Sequence, residues 1–200
     1  WMVTKCLPPT VVFSGESWEE NKSMSTYSKY NLNEAEFGVA LIQELMEFYI
    51  TKNPNQARKI TYAIICLYRE QVVVFRRLLR KANLGNDVGV FTVDEMQGSE
   101  AHVVIVSAVR GSNDHENIGF AEDIRRLNVA LSRGSCVYVL ARHDMFHNKE
   151  GWNSLMTKAV RLGIFCPYAD SLLRHNKIRQ YIADISSMND EFDTPLPSSF

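Results

Sequence analysis

The sequence lacks several features that would define a self-contained enzyme. No GxxxxGK[ST] phosphate loop occurs in the chain, and no apolar strand ends in the paired acids that would hold Mg²⁺. The four cysteines show no paired CxxC spacing, and Cys66 and Cys136 lie in apolar runs typical of buried strands. The chain therefore cannot build an ATP site alone, and its cysteines favour a reducing, intracellular setting, cytoplasmic or nuclear.

Charge of one sign and long hydrophobic runs are also scarce. The 22 basic and 23 acidic residues give a formal net charge of −1, so any site for a polyanion must be local. No apolar run approaches the roughly 20 residues of a membrane span, and the start shows no signal-peptide pattern, so we expect no membrane partner. The chain opens at Trp1 without an initiator methionine, and we expect it to be a piece of a longer protein.

What is present is a regular alternation of strands and helices. Apolar, β-branched runs predict buried parallel strands at "TVVF", "ITYAIICLY", "DVGVFTV", "HVVIVSAV" and "CVYVLA". Helical periodicity predicts a helix from an N-cap at Asn33 to before Pro54, and further helices at "EQVVVFRRLLRKAN", "AEDIRRLNVALSR", "GWNSLMTKAVRLG" and "SLLRHNKIRQYIADI". This alternation predicts an α/β fold, in which helices cover both faces of a parallel sheet.

Polar segments set the predicted boundaries. Residues 1–31 are predicted to form a first strand and a polar loop, residues 32–183 the α/β domain, and residues 184–200 a disordered tail. Another exposed loop, "RGSNDHENIGF", is predicted after Val109. Ligands of parallel sheets bind outside the carboxyl ends of the strands, so we expect the site at the strand exits near Gln97 and after Val109.

The turn "TVDEMQGSE" carries more polar groups than a bare connection needs. Taken alone, it is more often a tight turn in which Asp94, Gln97 and Glu100 satisfy local amides. Its Gly98 would, however, let the backbone come close to a phosphate or a ribose.

The next predicted helix strengthens the functional interpretation. Arg126 and Arg133 are seven positions apart and are expected to share one face, while Ile124, Leu127 and Leu131 point to the core. Arginine clusters are usually solvated surface. Arg133 differs because it stands at the predicted helix end, capped by Gly134, from where its guanidinium can reach a γ-phosphate.

These residues carry a family resemblance. "TVDEMQGSEAHVVIVSAVR" resembles motif V, and "IGFAEDIRRLNVALSRG" resembles motif VI, of superfamily-one helicases of the nonsense-mediated-decay (Upf-like) type. "NLNEAEFGVALIQELM" and "YAIICLYREQVVVFRRLL" resemble the two family segments before motif V, so the likeness covers most of Leu32 to Phe165. It implies the second RecA-like motor domain of a P-loop NTPase.

The resemblance also implies roles for individual residues. Arg133 would be the catalytic arginine finger, and the nucleotide would be lined by Gln97, Gly98, Glu100 and Arg133, with Glu100 on the ribose. Thr92 and Tyr68 would contact nucleic acid, with Gln71 nearby, and Asp94 and Arg126 would form an ion pair that couples the two motifs. ATP and Mg²⁺ would be bound mainly by the first RecA-like domain of the same protein. The implied polymer is single-stranded nucleic acid, RNA favoured over DNA.

Several positions depart from the family pattern. The family commonly has Thr-Pro-Tyr where this chain has Cys66, Leu67 and Tyr68, so a hydroxyl contact to the nucleic-acid phosphate is lost. Four further residues replace, in order, an aromatic residue, an acid, a proline and an alanine: Met96, His102, Ile124 and Gly134.

Other candidate sites are weaker. His143 and His147 are spaced to face one metal ion, but no Cys or acid pair joins them, and a solvated helical turn is the better interpretation. Cys136 is predicted to be a core thiol. The basic run Arg76, Arg77, Arg80 and Lys81 is predicted to be an outer helix face, because no aromatic residues are interleaved with it.

Two functional classes stay open. The first is the C-terminal motor domain of an ATP-dependent RNA or DNA helicase, inactive as an isolated chain because it lacks a phosphate loop. The second is a helicase-derived nucleic-acid-binding or scaffold module without ATPase activity, which the lost Thr-Pro pair and the near-neutral charge favour.

Overall fold

The computed structural model describes residues 6–54, 60–110, 121, 123–142 and 150–192, with side chains of the last helix described to Ser187. The strands are β1 Thr10–Phe13, β2 Asn21–Lys22, β3 Lys29–Tyr30, β4 Tyr62–Cys66, β5 Val88–Thr92, β6 Ala101–Ser107, β7 Gly134–Leu140 and β8 Phe165–Cys166. The helices are α1 Leu32–Lys52, α2 Arg69–Lys81, α3 Ile124–Leu131, α4 Glu150–Arg161, α5 Ala169–Arg174 and α6 Ile178–Phe192.

Six strands form one parallel sheet in the order β5-β4-β6-β7-β1-β8. The inner strands β4 and β6 are almost wholly apolar, as expected where both faces of a strand are covered. The predicted α/β class is therefore confirmed, and the arrangement is RecA-like. Strand β1 pairs with β7 and β8 inside this sheet, so residues 10–13 belong to the same domain as the rest.

Alternate side chains of the strands enter two separate cores. One face of the sheet packs against α1, α2, α5 and α6 through residues such as Ile64, Ile105 and Tyr138. The other face packs against α3 and α4 through Ile65, Val106 and Val139. This period-two division places the helices on both faces, as the alternation of elements predicts.

Helix α1 begins earlier than the sequence predicts. Its N-cap is Asn31, not Asn33, because the Asn31 side chain accepts a hydrogen bond from the N–H of Glu34 at 3.0 Å. Asn33 instead donates to the carbonyl of Ser17 at 2.7 Å.

The polar segment predicted to be only a loop contains the β2–β3 hairpin. Polar contacts to α2 hold it, since Thr26 donates to Glu70 Oε2 at 3.0 Å and the Glu70 N–H donates to Ser28 Oγ at 3.2 Å. Apolar periodicity cannot detect a hairpin that is anchored in this way.

The end of the chain also differs from the prediction. Helix α6 runs to Phe192, into the segment 184–200 that is predicted to be disordered. It is held by Ile178, Ile182 and Ile185, which are buried at helical spacing, and by ion pairs of Arg179 with Glu44 and Glu47 of α1. Residues 193–200 lie outside the described part of the chain.

Candidate functional site

The connection between β5 and β6 links opposite edges of the sheet. Cys66, Thr92 and Ser107 lie in one row at the carboxyl ends of their strands. Ala101, which opens β6, pairs with Gly134, which opens β7, at the amino ends. Residues 93–100 therefore run from the carboxyl edge to the amino edge, with no helix between them, and Val93 and Met96 anchor them in the core.

This geometry corrects the predicted position of the site. The sequence places the whole turn at a strand exit, but only its beginning, at Thr92 and Asp94, lies there. Glu100 stands at the amino edge, directly before β6, and Arg133 stands beside it, directly before β7. The Ala101 N–H donates to the Arg133 carbonyl at 2.9 Å, so main-chain geometry fixes the two residues as neighbours.

Arg133 lies beyond the end of α3. The helix ends at Leu131 with Ser132 as its C-cap, so Arg133 does not continue the helical face of Arg126 as predicted. Its Nε donates to the Val129 carbonyl at 3.0 Å and its Nη2 to Ser132 Oγ at 3.0 Å. The guanidinium is half-buried over its own helix end, at the edge that carries Glu100, and its partners there are neutral oxygens.

Gly134 is the first residue of β7 and not a helix cap. A Cβ at this position would lie 2.8 Å from Val104 Cγ2 and 2.9 Å from the Cys136 carbonyl oxygen. Packing against the neighbouring strand β6 therefore accounts for this glycine.

Gln97 and Gly98 form the exposed bend of the connection. Gly98 has φ +80°, which favours glycine, while a Cβ there would meet nothing within 4 Å. Next to this bend, Glu100 lines a cleft of about 370 Å³ together with Thr61, Asp87 and Phe91. The main chain thus places Glu100 and Arg133 next to each other at the amino edge, and the exposed bend of Gln97 and Gly98 lies just before Glu100 in the chain.

Thr92 begins a capped turn at the carboxyl edge. Its hydroxyl accepts from the Glu95 N–H at 3.3 Å, and its own N–H donates to Glu95 Oε2 at 2.8 Å. The hydrogen bond from the Thr92 N–H holds the pKa of Glu95 below its ordinary value. The capping-box pattern Thr-x-x-Glu at positions 92–95 indicates this turn, although it was not among the predicted features.

Tyr68 follows β4 at the same edge but is only 8% exposed. Burial raises the pKa of its hydroxyl, which is hydrogen-bonded to the guanidinium of Arg110. Cys66, the last residue of β4, is fully buried, and desolvation raises the pKa of its thiol. Tyr68 therefore supports this edge from within and presents little surface of its own.

Asp94 and Arg126, which the family resemblance implies to be a pair, are within ion-pair distance. Arg126 Nη2 lies 3.2 Å from Asp94 Oδ2, with side-chain exposures of 31% and 63%. The contact joins the start of the connection to the first turn of α3. Ile124, predicted to face the core, is 48% exposed because the core of α3 is formed by Leu127 and Ala130.

A buried polar network at the end of β6 escaped the sequence analysis. Gln71, expected near the nucleic acid, is fully buried, donating to Ser107 Oγ at 3.1 Å and to the Asn31 carbonyl at 3.0 Å. Ser107 donates to Glu34 Oε1, and the Val109 N–H donates to the two Glu34 oxygens at 3.1 and 3.2 Å. Burial raises the pKa of Glu34 to about 8, against these hydrogen bonds, which lower it.

The structure also shows where the weaker candidate residues lie. Cys136 is buried in the core, where desolvation raises the pKa of its thiol to about 12, and all four cysteines are free. Arg76 of the basic run donates to the Val90 carbonyl of β5 at 2.7 Å.

His143 and His147 lie outside the described residues, and within the described ranges no three His, Cys, Asp or Glu side chains are grouped as metal ligands would be. Among helices in those ranges, none has the length and apolarity needed to cross a membrane.

Comparisons with known proteins agree with this architecture. The sequence model of the AAA domain family matches residues 1–144. Helicase sen1 of Schizosaccharomyces pombe is 32% identical over 158 residues, which cover 76% of this chain and 9% of that protein. Helicase SEN1 of Saccharomyces cerevisiae is 24% identical over 204 residues, 99% of this chain and 9% of that protein. An uncharacterised ATP-dependent helicase of Methanocaldococcus jannaschii is 35% identical over 125 residues, 62% of this chain and 16% of that protein. The chain therefore spans a small part of the length of these relatives.

Proposed function

Because this chain belongs to the AAA domain family and is a superfamily-one helicase domain, we propose that it acts as the second, C-terminal RecA-like motor domain of an ATP-dependent helicase of the Upf-like type. In this proposal, the amino edge of the sheet faces a nucleotide held mainly by the first RecA-like domain of the full-length protein. The carboxyl edge faces single-stranded nucleic acid, RNA favoured over DNA.

The observation that carries the nucleotide half of the proposal is the main-chain bond between Ala101 and Arg133. It supports a site in which Glu100 contacts the ribose and Arg133 meets the γ-phosphate. Gln97 and Gly98, in the bend just before Glu100, would line the same nucleotide. Arg133 now contacts two neutral oxygens, and a charged phosphate oxygen is a stronger acceptor, roughly by a factor of two. The guanidinium would therefore leave its helix end when the nucleotide is bound.

The nucleic-acid half rests on the row of strand ends at the carboxyl edge. Thr92 ends β5 there, and Tyr68 follows β4 in the adjacent position. We assign Thr92 to a backbone contact with the strand and Tyr68 to the wall behind it. A contact to the backbone alone does not distinguish RNA from DNA, because only the 2′-hydroxyl does so.

The Asp94–Arg126 pair supports a coupling role. It ties the carboxyl end of the connection to α3, while the Ala101–Arg133 bond ties the amino end to the residues that follow α3. A displacement of Thr92 by nucleic acid would thus be transmitted to Glu100 and Arg133 together.

ATP and Mg²⁺ are the cofactors that the proposal requires. The residues described here supply a guanidinium and a ribose contact, whereas the phosphate loop and the Mg²⁺ ligands would come from the first motor domain. An intracellular location, cytoplasmic or nuclear, fits the four free cysteines.

Substitution of Arg133 tests the motor assignment. In the full-length protein, Arg133→Ala should lower the nucleic-acid-stimulated ATPase rate by about 10³-fold, since an arginine finger stabilises the transition-state charge. Arg125→Ala is the matched control, because Arg125 is an exposed arginine of α3, the helix that precedes Arg133, and the rate of this variant should stay unchanged. A normal rate in the Arg133 variant would refute the finger.

A scaffold module without ATPase activity is the second candidate. It is favoured by Cys66 and Leu67 at the end of β4, where the family commonly has Thr-Pro, and by the near-neutral net charge. An intact phosphate loop elsewhere in the full-length protein supports the motor, and its absence supports the scaffold. Under both hypotheses, motor domain and scaffold module, calorimetry should show no binding of ATP to the isolated chain at micromolar concentrations.

A further inference from the structure

Glu34 has an unusual partner for its helix position. Asn31 is the N-cap of α1, so Glu34 is the N3 residue, whose carboxylate ordinarily reaches back to the N–H of the N-cap residue. Here that N–H donates instead to Gln71 Oε1 at 2.8 Å. The Glu34 carboxyl is thereby left to reach the end of β6, where it accepts from Ser107 and Val109, 73 and 75 positions away in sequence.

Its target is a strained turn. Val109 has φ +71°, which a β-branched residue rarely adopts, and the Arg110 N–H donates to the Ala108 carbonyl at 2.8 Å, which closes a γ-turn centred on Val109. Both main-chain polar groups of Val109 are held by the start of α1. Glu34 accepts from its N–H, and the Asn31 Nδ2 donates to its carbonyl at 3.3 Å. A conformation of this kind persists only where the surroundings fix it.

The turn decides where Arg110 lies. Arg110 is 5% exposed, its Nε is 2.7 Å from Glu20 Oε2, and its guanidinium is hydrogen-bonded to the Tyr68 hydroxyl. Lys29 of the hairpin binds the other oxygen of Glu20. Arg110 therefore joins the hairpin, the end of β6 and Tyr68 beyond β4, beside the strand end that carries Thr92.

We infer that Glu34 is a positioning residue for nucleic-acid binding: it holds the Val109 turn, and through it keeps Arg110 and Tyr68 in place behind the carboxyl edge. This inference rests on the proposed function of that edge. It assigns Glu34 no contact with nucleic acid or nucleotide, and the amino edge with Arg133 and Glu100 does not depend on it.

The test compares Glu34→Ala with Glu34→Gln in the full-length protein. The alanine variant should raise the Kd for a single-stranded oligonucleotide by about tenfold, the size expected when a supporting group is lost. The ATPase rate without nucleic acid should stay within about twofold, because the nucleotide contacts lie at the other edge. The glutamine variant keeps an acceptor oxygen for the Val109 N–H and should largely restore affinity. Glu36→Ala, an exposed glutamate of the same helix, is the matched control.

Amide exchange reports on the turn itself. The Val109 amide should be protected in the wild-type and glutamine proteins and should exchange faster in the alanine variant. If the alanine variant does not fold, Ser107→Ala removes one contact of the carboxyl and should show a smaller change in the same direction. Wild-type protein that binds no single strand would refute the proposed function. Normal affinity in the alanine variant, or an amide that stays protected in it, would overturn the positioning role alone.

Discussion

At the scale of single residues, Gly134 shows how close neighbours limit the side chain that a position accepts. The position opens β7 and faces Val104 of β6, so any Cβ would enter the space of the Val104 side chain. The family that the sequence resembles commonly has alanine here. In this chain the Val104 side chain and the Cys136 carbonyl oxygen together leave room for glycine alone.

Gly134→Ala should therefore lower the free energy of unfolding by about 1–3 kcal/mol, as overpacking does in other cores. In a double-mutant cycle with Val104→Ala, the coupling should be favourable but incomplete, because the smaller side chain removes the contact with Val104 Cγ2 and leaves the contact with the Cys136 carbonyl oxygen. Urea unfolding of the isolated chain measures both. Ser135→Ala, at an exposed neighbouring position, should change stability by less than about 0.5 kcal/mol. If the two changes in unfolding free energy were additive, the backbone would accommodate the new methyl group and Val104 would not.

At the scale of elements, the connection 93–100 and helix α3 form one unit. They are tied at one end by Asp94 and Arg126 and at the other by the main chain of Ala101 and Arg133. The ion pair is partly exposed, so solvent screens it and its energetic contribution is small. For the proposed motor, the ion pair matters because it fixes the position of the connection relative to α3.

A double-mutant cycle of Asp94→Asn and Arg126→Ala should give a stability coupling of about 0.2–1 kcal/mol, which falls further in high salt. In the full-length protein, each single variant should reduce the stimulation of ATPase by nucleic acid more than it reduces affinity for either ligand. The measurements are urea unfolding at two salt concentrations and ATPase titrations with oligonucleotide. Equal stimulation in wild type and variants would argue against coupling through this contact.

The elements that the sequence predicts correctly are those whose burial alone determines them. Strands β4, β6 and β7 are apolar because both of their faces are buried, and this composition is visible without any partner. The β2–β3 hairpin was missed because hydrogen bonds to a distant helix hold it, as Thr26–Glu70 illustrates. A pattern within one segment carries no information about such partners.

At the scale of the whole molecule, one buried acid should set the pH dependence of stability. Desolvation raises the pKa of Glu34 from an ordinary value of 4.5 to about 8. The folded protein thus binds this proton more tightly than the unfolded chain does. The resulting stabilisation is complete below about pH 4.5 and is lost as the pH rises to about 8.

Wild-type chain should accordingly lose stability between pH 5 and pH 8, by at most about 1.4 kcal/mol per pH unit from this single proton. Glu34→Gln carries no titrating group at this site, so its curve should be flatter over the same range. Urea unfolding at several pH values compares the two proteins, which differ only at position 34. Parallel curves would show that Glu34 titrates normally in the folded protein.

The candidate site could be predicted only in part, because contacts between segments distant in sequence arrange it. The residue types at Glu100, Arg133, Asp94 and Arg126 are visible in the sequence, but their division between two edges depends on a connection that spans the sheet. Glu34 resembles any acid in the first turn of a helix, where it would interact with the helix dipole. Its role at Val109 requires a contact that only the folded chain creates.

The hydrogen bond from Ala101 to Arg133 has one more consequence. Both partners belong to the main chain. A substitution at position 100 or at position 133 therefore leaves the spacing between these positions unchanged. Evolution could therefore retune the chemistry of either group without respacing the other. For the experimenter, a lost activity after one such exchange can be attributed to the missing functional group and not to a displaced neighbour.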